Sequence, residues 1–437
     1  MISRSLVSRR LRRSASSEAG FTLAEMLVTV LLVALVMIAV LALFDMTSRT
    51  ARTQTHLAEM QQSLRVAQQT VVRAVRMAGR GGLPARDDLN VDSSLPGGIA
   101  LAIANNVPAD TLIGGDANAR VLAGTDVVTV RGIFESPIYQ FDPRAVPSAF
   151  AFNPDPDIGQ TTGTLTVAPT TPTGAPQPLA ALAEAIQRVQ TPGGAGTHPE
   201  ALLLVSPLGD WAVVEMIPGG TISTNGTEIS RVTIQFKARQ GDFSSQYQGI
   251  SRGGTFPTAL ETVAFAGILE EYRFYVREVR AVPGDVSSDL MPELVRARLY
   301  PNTNVPYQRN AASLTNVIAD NVLDLQAAFA IDRNDDDLIV ENLAAGKDPT
   351  LDEWLFNAVG DDPDDESWNT DGGSPLYYLR ISTLVRTDRA EPFYTDEALT
   401  KIEDKDYTQA PYSLQNAEWE RRYHRRQLRT TVDLRNL

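Results

Sequence analysis

The first fifty residues restrict what this chain can become more than any other stretch. Residues 1–20 carry Arg4, Arg9, Arg10, Arg12 and Arg13 against one acid, Glu18. An apolar run follows from Phe21 to Phe44, with Glu25 as its only charge. From Met26 to Phe44 it is interrupted only at Thr29. At 1.5 Å per helical residue this stretch covers roughly 28 Å, close to the hydrocarbon thickness of a bilayer. The pattern predicts one membrane span, with the arginines held on the cytoplasmic side and everything after Phe44 beyond the membrane.

Two ordinary explanations fit less well. A cleaved secretory signal has an apolar core of roughly 7–15 residues followed by a small-x-small site, whereas Leu43-Phe44-Asp45-Met46 stands here. A plain signal anchor suits the length but gives no reason for Glu25, since a carboxylate in hydrocarbon costs on the order of 3 kcal/mol. Such a group needs a partner.

Gly20-Phe21-Thr22-Leu23-Ala24-Glu25 resembles the processing signal of type IV prepilins and pseudopilins: a basic leader, glycine before the cut, an aromatic after it, and glutamate as the fifth mature residue. The resemblance implies that a prepilin peptidase cuts between Gly20 and Phe21 and methylates the new amino terminus at Phe21. It implies that Glu25 neutralises the terminal ammonium of a neighbouring subunit during assembly, which supplies the missing partner. Four further stretches are similar to the PilW-like large minor pilins: Arg76-Met77-Ala78-Gly79, Val322-Leu323-Asp324-Leu325-Gln326 running into Ile331-Asp332, residues 379–387, and residues 425–436. They imply a low-abundance subunit that helps initiate or cap a pilus, with the prepilin peptidase, other minor pilins, the major pilin and the inner membrane as partners. A minor pseudopilin of type II secretion uses the same leader and helix and is the nearest alternative. A membrane-anchored extracytoplasmic enzyme is the alternative of another class.

Beyond the span, Leu57, Met60, Leu64, Ala67, Val71, Val75 and Ala78 recur at steps of three and four, the stripe of an amphipathic helix. Gly79, Gly81, Gly82 and Pro84 then stop it. The expected organisation is a cleaved leader 1–20, a pilin helix 21–78 of which 21–44 is transmembrane, and an extracytoplasmic head 79–437. The head reads as β-rich, so the fold class is α+β. Strand candidates are 125–131, 201–206, 211–217, 231–237, 271–277, 294–300, 376–385 and 428–434, all rich in β-branched and aromatic residues. The Pro/Thr/Gly-rich stretch 153–178 reads as an extended surface loop, and 180–190 as a short helix.

Composition excludes several chemistries. With no cysteine there are no disulfides, thiolate zinc sites or cysteine nucleophiles, and His56, His198 and His424 are too few for a histidine-rich metal centre. A net charge of −14 argues against general nucleic-acid affinity. Gly249-Ile250-Ser251-Arg252-Gly253 matches a nucleophile elbow, but polar residues stand where its strand and helix belong. The basic group Arg421, Arg422, Arg425, Arg426, Arg429 and Arg435 surrounds an alternating terminal strand, so its arginines read as a solvated or acid-paired face. No catalysis and no required cofactor is expected. Asp332-Arg333-Asn334-Asp335-Asp336-Asp337-Leu338 opens like a calcium loop, with Asp332, Asn334, Asp336 and the Leu338 carbonyl as candidate ligands. Closure would need Glu341, Asp348 or Asp352.

Overall fold

The computed structural model describes residues 21–83, 100–108, 111–113, 120–142, 150–155, 160–190, 200–207, 209, 211–239, 263–282, 285, 287–301, 304–309, 312–313, 315–332, 336, 338–342, 352–358 and 376–434. The molecule comprises two units, residues 1–56 and residues 57–437.

Helix α1, Leu23–Arg76, runs through 54 residues. In the first unit every residue from Phe21 to Arg52 is exposed. In the second unit Met60, Leu64, Ala67, Val71 and Val75 are buried, with Leu57 packed against them. This is the stripe read from the sequence. The helix ends at Arg76, two residues before the expected Ala78, because Met77 and Ala78 donate to carbonyls three residues back and tighten the chain into a turn. Ala78 is buried all the same. The turn then needs Gly81, whose φ is +105° and whose added Cβ would lie 2.5 Å from Ile133 Cδ1.

Among the described residues, three large antiparallel sheets build most of the rest of the second unit, with two small two-stranded ones, Gln308–Arg309 with Ala312–Ser313 and Lys401–Ile402 with Lys405–Asp406. The first runs in the order Leu101–Ala104, Val127–Gly132, Glu270–Arg280, Leu290–Leu299, Thr315–Asp320, with Arg120–Val121 also on Glu270–Arg280. The second has seven strands, in the order Tyr139–Gln140, Phe265–Ile268, Ala201–Val205, Trp211–Asn225, Glu228–Arg239, Gln160–Val167, Phe150–Asp155. The third runs Trp354–Leu355, Val322–Ile331, Leu376–Arg386, Arg425–Asp433.

Two cores result. In the first, the buried stripe of α1 packs with Leu101, Val130 and Phe274 of the first sheet and Leu325, Ile381 and Val432 of the third. In the second, α2, Ala180–Gln190, covers one face of the second sheet with Leu182, Ala185 and Ile186 against Leu202, Val214 and Phe236. Strand Ala201–Val205 serves both, which explains its unbroken apolar run: Leu203 faces the first core, Leu202 and Leu204 the second.

All eight expected strands form, most of them longer than read. Trp211–Asn225 continues past Pro218-Gly219-Gly220, where its register shifts between Ile217 and Thr221. The breakers sit in an irregularity of the ladder and do not end it. The loop expected over 153–178 is corrected. Gln160–Val167 is a strand paired along its length with Glu228–Arg239, and its Leu165 and Val167 are buried. Threonines alternating with buried positions make a half-buried strand, and turn-type composition concealed that period.

Candidate functional site

At the amino-terminal end, Gly20 lies outside the described residues and Phe21 is 78% exposed. Thr22 and Glu25 lock together: the Thr22 amide and hydroxyl each donate to Glu25 Oε2 at 2.9 Å, and the Glu25 amide donates to Thr22 Oγ1 at 3.3 Å. This reciprocal arrangement is a capping box, which satisfies helix-terminal amides that have no intrahelical acceptor. The T-x-x-E spacing is its sequence signal and was there to be read. Both bonds fall on Oε2, so the carboxylate keeps a second oxygen with which to accept another donor. The helix that follows is apolar all round and fully exposed, with Leu27, Leu31, Leu35 and Phe44 each more than half accessible. It is long and apolar enough to cross a membrane. The polar stretch opens with an exposed Asp45–Arg49 pair at 2.7 Å.

The seat of the helix in the second unit is polar at one point. Gln68 is buried within the apolar stripe, where its Nε2 donates to the Ile381 carbonyl at 2.9 Å and its Oε1 accepts from Thr383 Oγ1 at 2.6 Å. Both partners lie on Leu376–Arg386, one of the two interior strands of the third sheet. A buried amide is tolerated only when its bonds are made, so Gln68 ties the helix to one place on that strand.

A second buried polar group joins the first and third sheets. Asp126 accepts from the Asn106 amide at 2.8 Å and the Ala327 amide at 2.7 Å. Lys405 Nζ lies 3.2 Å from Asp324 Oδ1 with both side chains fully buried, and the Tyr407 hydroxyl donates to Asp324. Burial, and after it the nearby Asp404 carboxylate, pushes the Asp126 carboxyl well above its ordinary value. Sequence reasoning gave these charges no role, because isolated acids and lysines are mostly exposed.

The acidic turn begins in a buried position. Asp332 is 1% exposed and its Oδ1 accepts from the Asp336 amide at 3.3 Å; Asp336 Oδ1 in turn accepts from the Leu338 amide at 2.8 Å. Asn334 and Asp348 lie outside the described residues. Glu341 pairs with Arg380 at 2.8 Å, and Asp352 accepts from Asn342, Trp354 and Asn357. Among the described residues no cluster of three histidine or carboxylate side chains is disposed to hold a metal ion.

Several of the terminal arginines have protein partners. Arg425 binds Asp396 and the Gln415 carbonyl, Arg429 lies 3.1 Å from Glu403, Arg421 donates to the Asp396 carbonyl, and Arg422 meets Glu418 at 3.2 Å. Arg426 is exposed, and Arg435 lies outside the described residues. His424 stacks on Tyr394 at 3.6 Å between ring centroids and stands 3.5 Å from Glu391. His198 and the 249–253 segment lie outside the described residues.

Residues 273–436 match the family model of type IV pilus-assembly protein W. The match covers less than half of the chain and supports a type IV pilus-related family. It takes in the third sheet, with its contacts to Gln68, and much of the first. No curated protein and no solved structure matches.

Proposed function

We propose that this chain is a minor pilin that helps initiate or cap a bacterial type IV pilus, without catalysis of its own. The reading is carried by one coincidence of position: the family match takes in the third sheet and part of the first, which together hold much of residues 57–76 of α1, and the same helix begins in a prepilin-like processing segment. On this reading the prepilin peptidase removes residues 1–20 and methylates Phe21. The helix anchors the subunit in the inner membrane, and the β-rich part lies outside the cytoplasm. Glu25 then does two things in turn: Oε2 caps its own helix, and the remaining oxygen receives the terminal ammonium of an adjoining pilin.

Mass spectrometry of the protein from cells with and without the prepilin peptidase tests the first step. The expected product begins at methylated Phe21 only when the peptidase is present; an intact leader in both strains removes the assignment. Glu25→Ala tests the second. The variant is expected to accumulate in the membrane, since a carboxylate no longer opposes insertion, and to lose pilus initiation. Normal piliation in that strain would contradict the role given to Glu25.

A further inference from the structure

A cleft of about 560 Å³ lies beside the carboxyl-terminal turns of α1. Its accessible apolar walls are Met77 and Phe134, with Tyr272 and Phe274 buried behind them; its cationic walls are Arg73, Arg80 and Arg296. Two of the three arginines are held in place. Arg296 lies over the Tyr272 ring at 4.9 Å, and Arg80 donates to the Phe134 carbonyl at 3.2 Å. The one acid of the lining, Glu135, already accepts from the Tyr272 hydroxyl at 2.8 Å and from Arg298 at 3.2 Å. Among the described residues, no carboxylate pairs with Arg73, Arg80 or Arg296.

Three guanidinium groups with no carboxylate partner among the described residues invert, at this cleft, the charge of a chain whose net charge is −14. We infer that this cleft docks an acidic segment of another polypeptide, its carboxylates meeting the arginines and one apolar side chain resting on the half-buried Met77 and Phe134. Charge complementarity selects the occupant: guanidinium forks match carboxylates in paired geometry, and a small ring-lined volume suits a few side chains. A nucleic-acid strand is the less suitable ligand, because it needs a continuous basic track with successive stacking platforms. The inference concerns only the second unit and stands whether or not residues 1–20 are removed.

The test uses the full chain in detergent and a dye-labelled peptide of glutamates around one central phenylalanine, followed by fluorescence anisotropy. Saturable binding is expected, weakened at least tenfold by Arg73→Glu and by Arg296→Glu, and weakened by replacing the peptide's phenylalanine with alanine. Arg73 is exposed on the helix, so its variant keeps the core; a thermal melt matching the parent verifies this. An absence of saturable binding, or equal binding by both arginine variants, overturns the proposal. Equal competition by inorganic phosphate or by an oligothymidylate reassigns the cleft as a general anion or nucleic-acid site and overturns it as well.

Discussion

The two cores of the second unit are built alike and placed differently. Each sets a helix on antiparallel strands with fully buried aliphatic and aromatic contacts. The first, however, is threaded with buried polar groups: Gln68, Asp126, Asp324 and Lys405 all lie inside or against it. The second has its buried polar groups, Glu200 and Gln177, in the segments flanking α2. The family match covers the third sheet of the first core, whereas the strands and helix of the second, residues 139–268, precede the matched span. α2 makes its directed bonds at its carboxyl-terminal end, where Arg188 Nε donates to the buried Glu200 at 2.6 Å and Gln190 to the Gly220 carbonyl, while the long helix carries its polar tie, Gln68, inside the buried stripe. The difference teaches that the sheet carrying the family likeness is also the one that fixes the position of α1.

That contrast can be broken experimentally, beginning where the largest effect is expected. Lys405→Met leaves the Asp324 carboxylate buried without its cation and should lower stability by about 3–5 kcal/mol in urea denaturation. A loss below about 1 kcal/mol would mean that the ion pair is incidental. Leu182→Ala, in α2, should cost about 2–5 kcal/mol through the cavity it opens. Its hydrogen-exchange signature is expected in the second sheet and not in Leu376–Arg386; loss of protection in both would show that the two cores unfold as one. Gln68→Ala should cost about 1–3 kcal/mol by stranding the Thr383 hydroxyl, and exchange should rise in residues 57–76.

Asp126 gives a smaller, pH-dependent effect. Its folded carboxyl holds a proton above the ordinary value of 3.8, so between that pH and its raised folded value the native state binds more protons than the unfolded one. The Asp126 contribution is therefore fully present below pH 3.8 and lost as pH rises toward the folded value. Asp126→Asn should flatten this part of the stability profile while lowering stability overall, since an amide offers one acceptor to the two backbone donors. An unchanged slope would place the proton elsewhere. The smallest effect concerns the acidic turn. If Asp332 and Asp336 hold calcium, an ion concentration equal to its dissociation constant adds about 0.4 kcal/mol. The Asp332→Ala, Asp336→Ala double variant should lose that shift, and an equal shift in both proteins dismisses the site.

Much of this architecture could be read from residue order. The α1 stripe repeats at helical spacing and is buried as read, and α2 occupies the stretch assigned to it. What escaped has physical causes. Val322–Ile331 is buried at every position, so it shows no alternation, and Asp324 and Gln326 inside it resemble surface residues. Gln160–Val167 was masked by threonine and glycine, residues that serve turns and exposed strand faces alike. At the amino terminus the identity of Glu25 drew attention while its spacing from Thr22 did not, and the spacing is what reveals the cap. The cleft beside Arg73 joins side chains from three distant parts of the chain, and no local pattern announces it.

The Gln68 bonds also have a mechanical meaning. A greasy stripe on a sheet can slip, because one methyl group replaces another with little change in energy. A one-turn slide of about 5.4 Å would carry the Gln68 amide away from Ile381 and Thr383 and strand it among apolar side chains. Tension applied along α1 is thus passed first to Leu376–Arg386, which is hydrogen-bonded on both sides to antiparallel neighbours. Any slide of the helix along its seat must first break both Gln68 bonds, so they set a single preferred register.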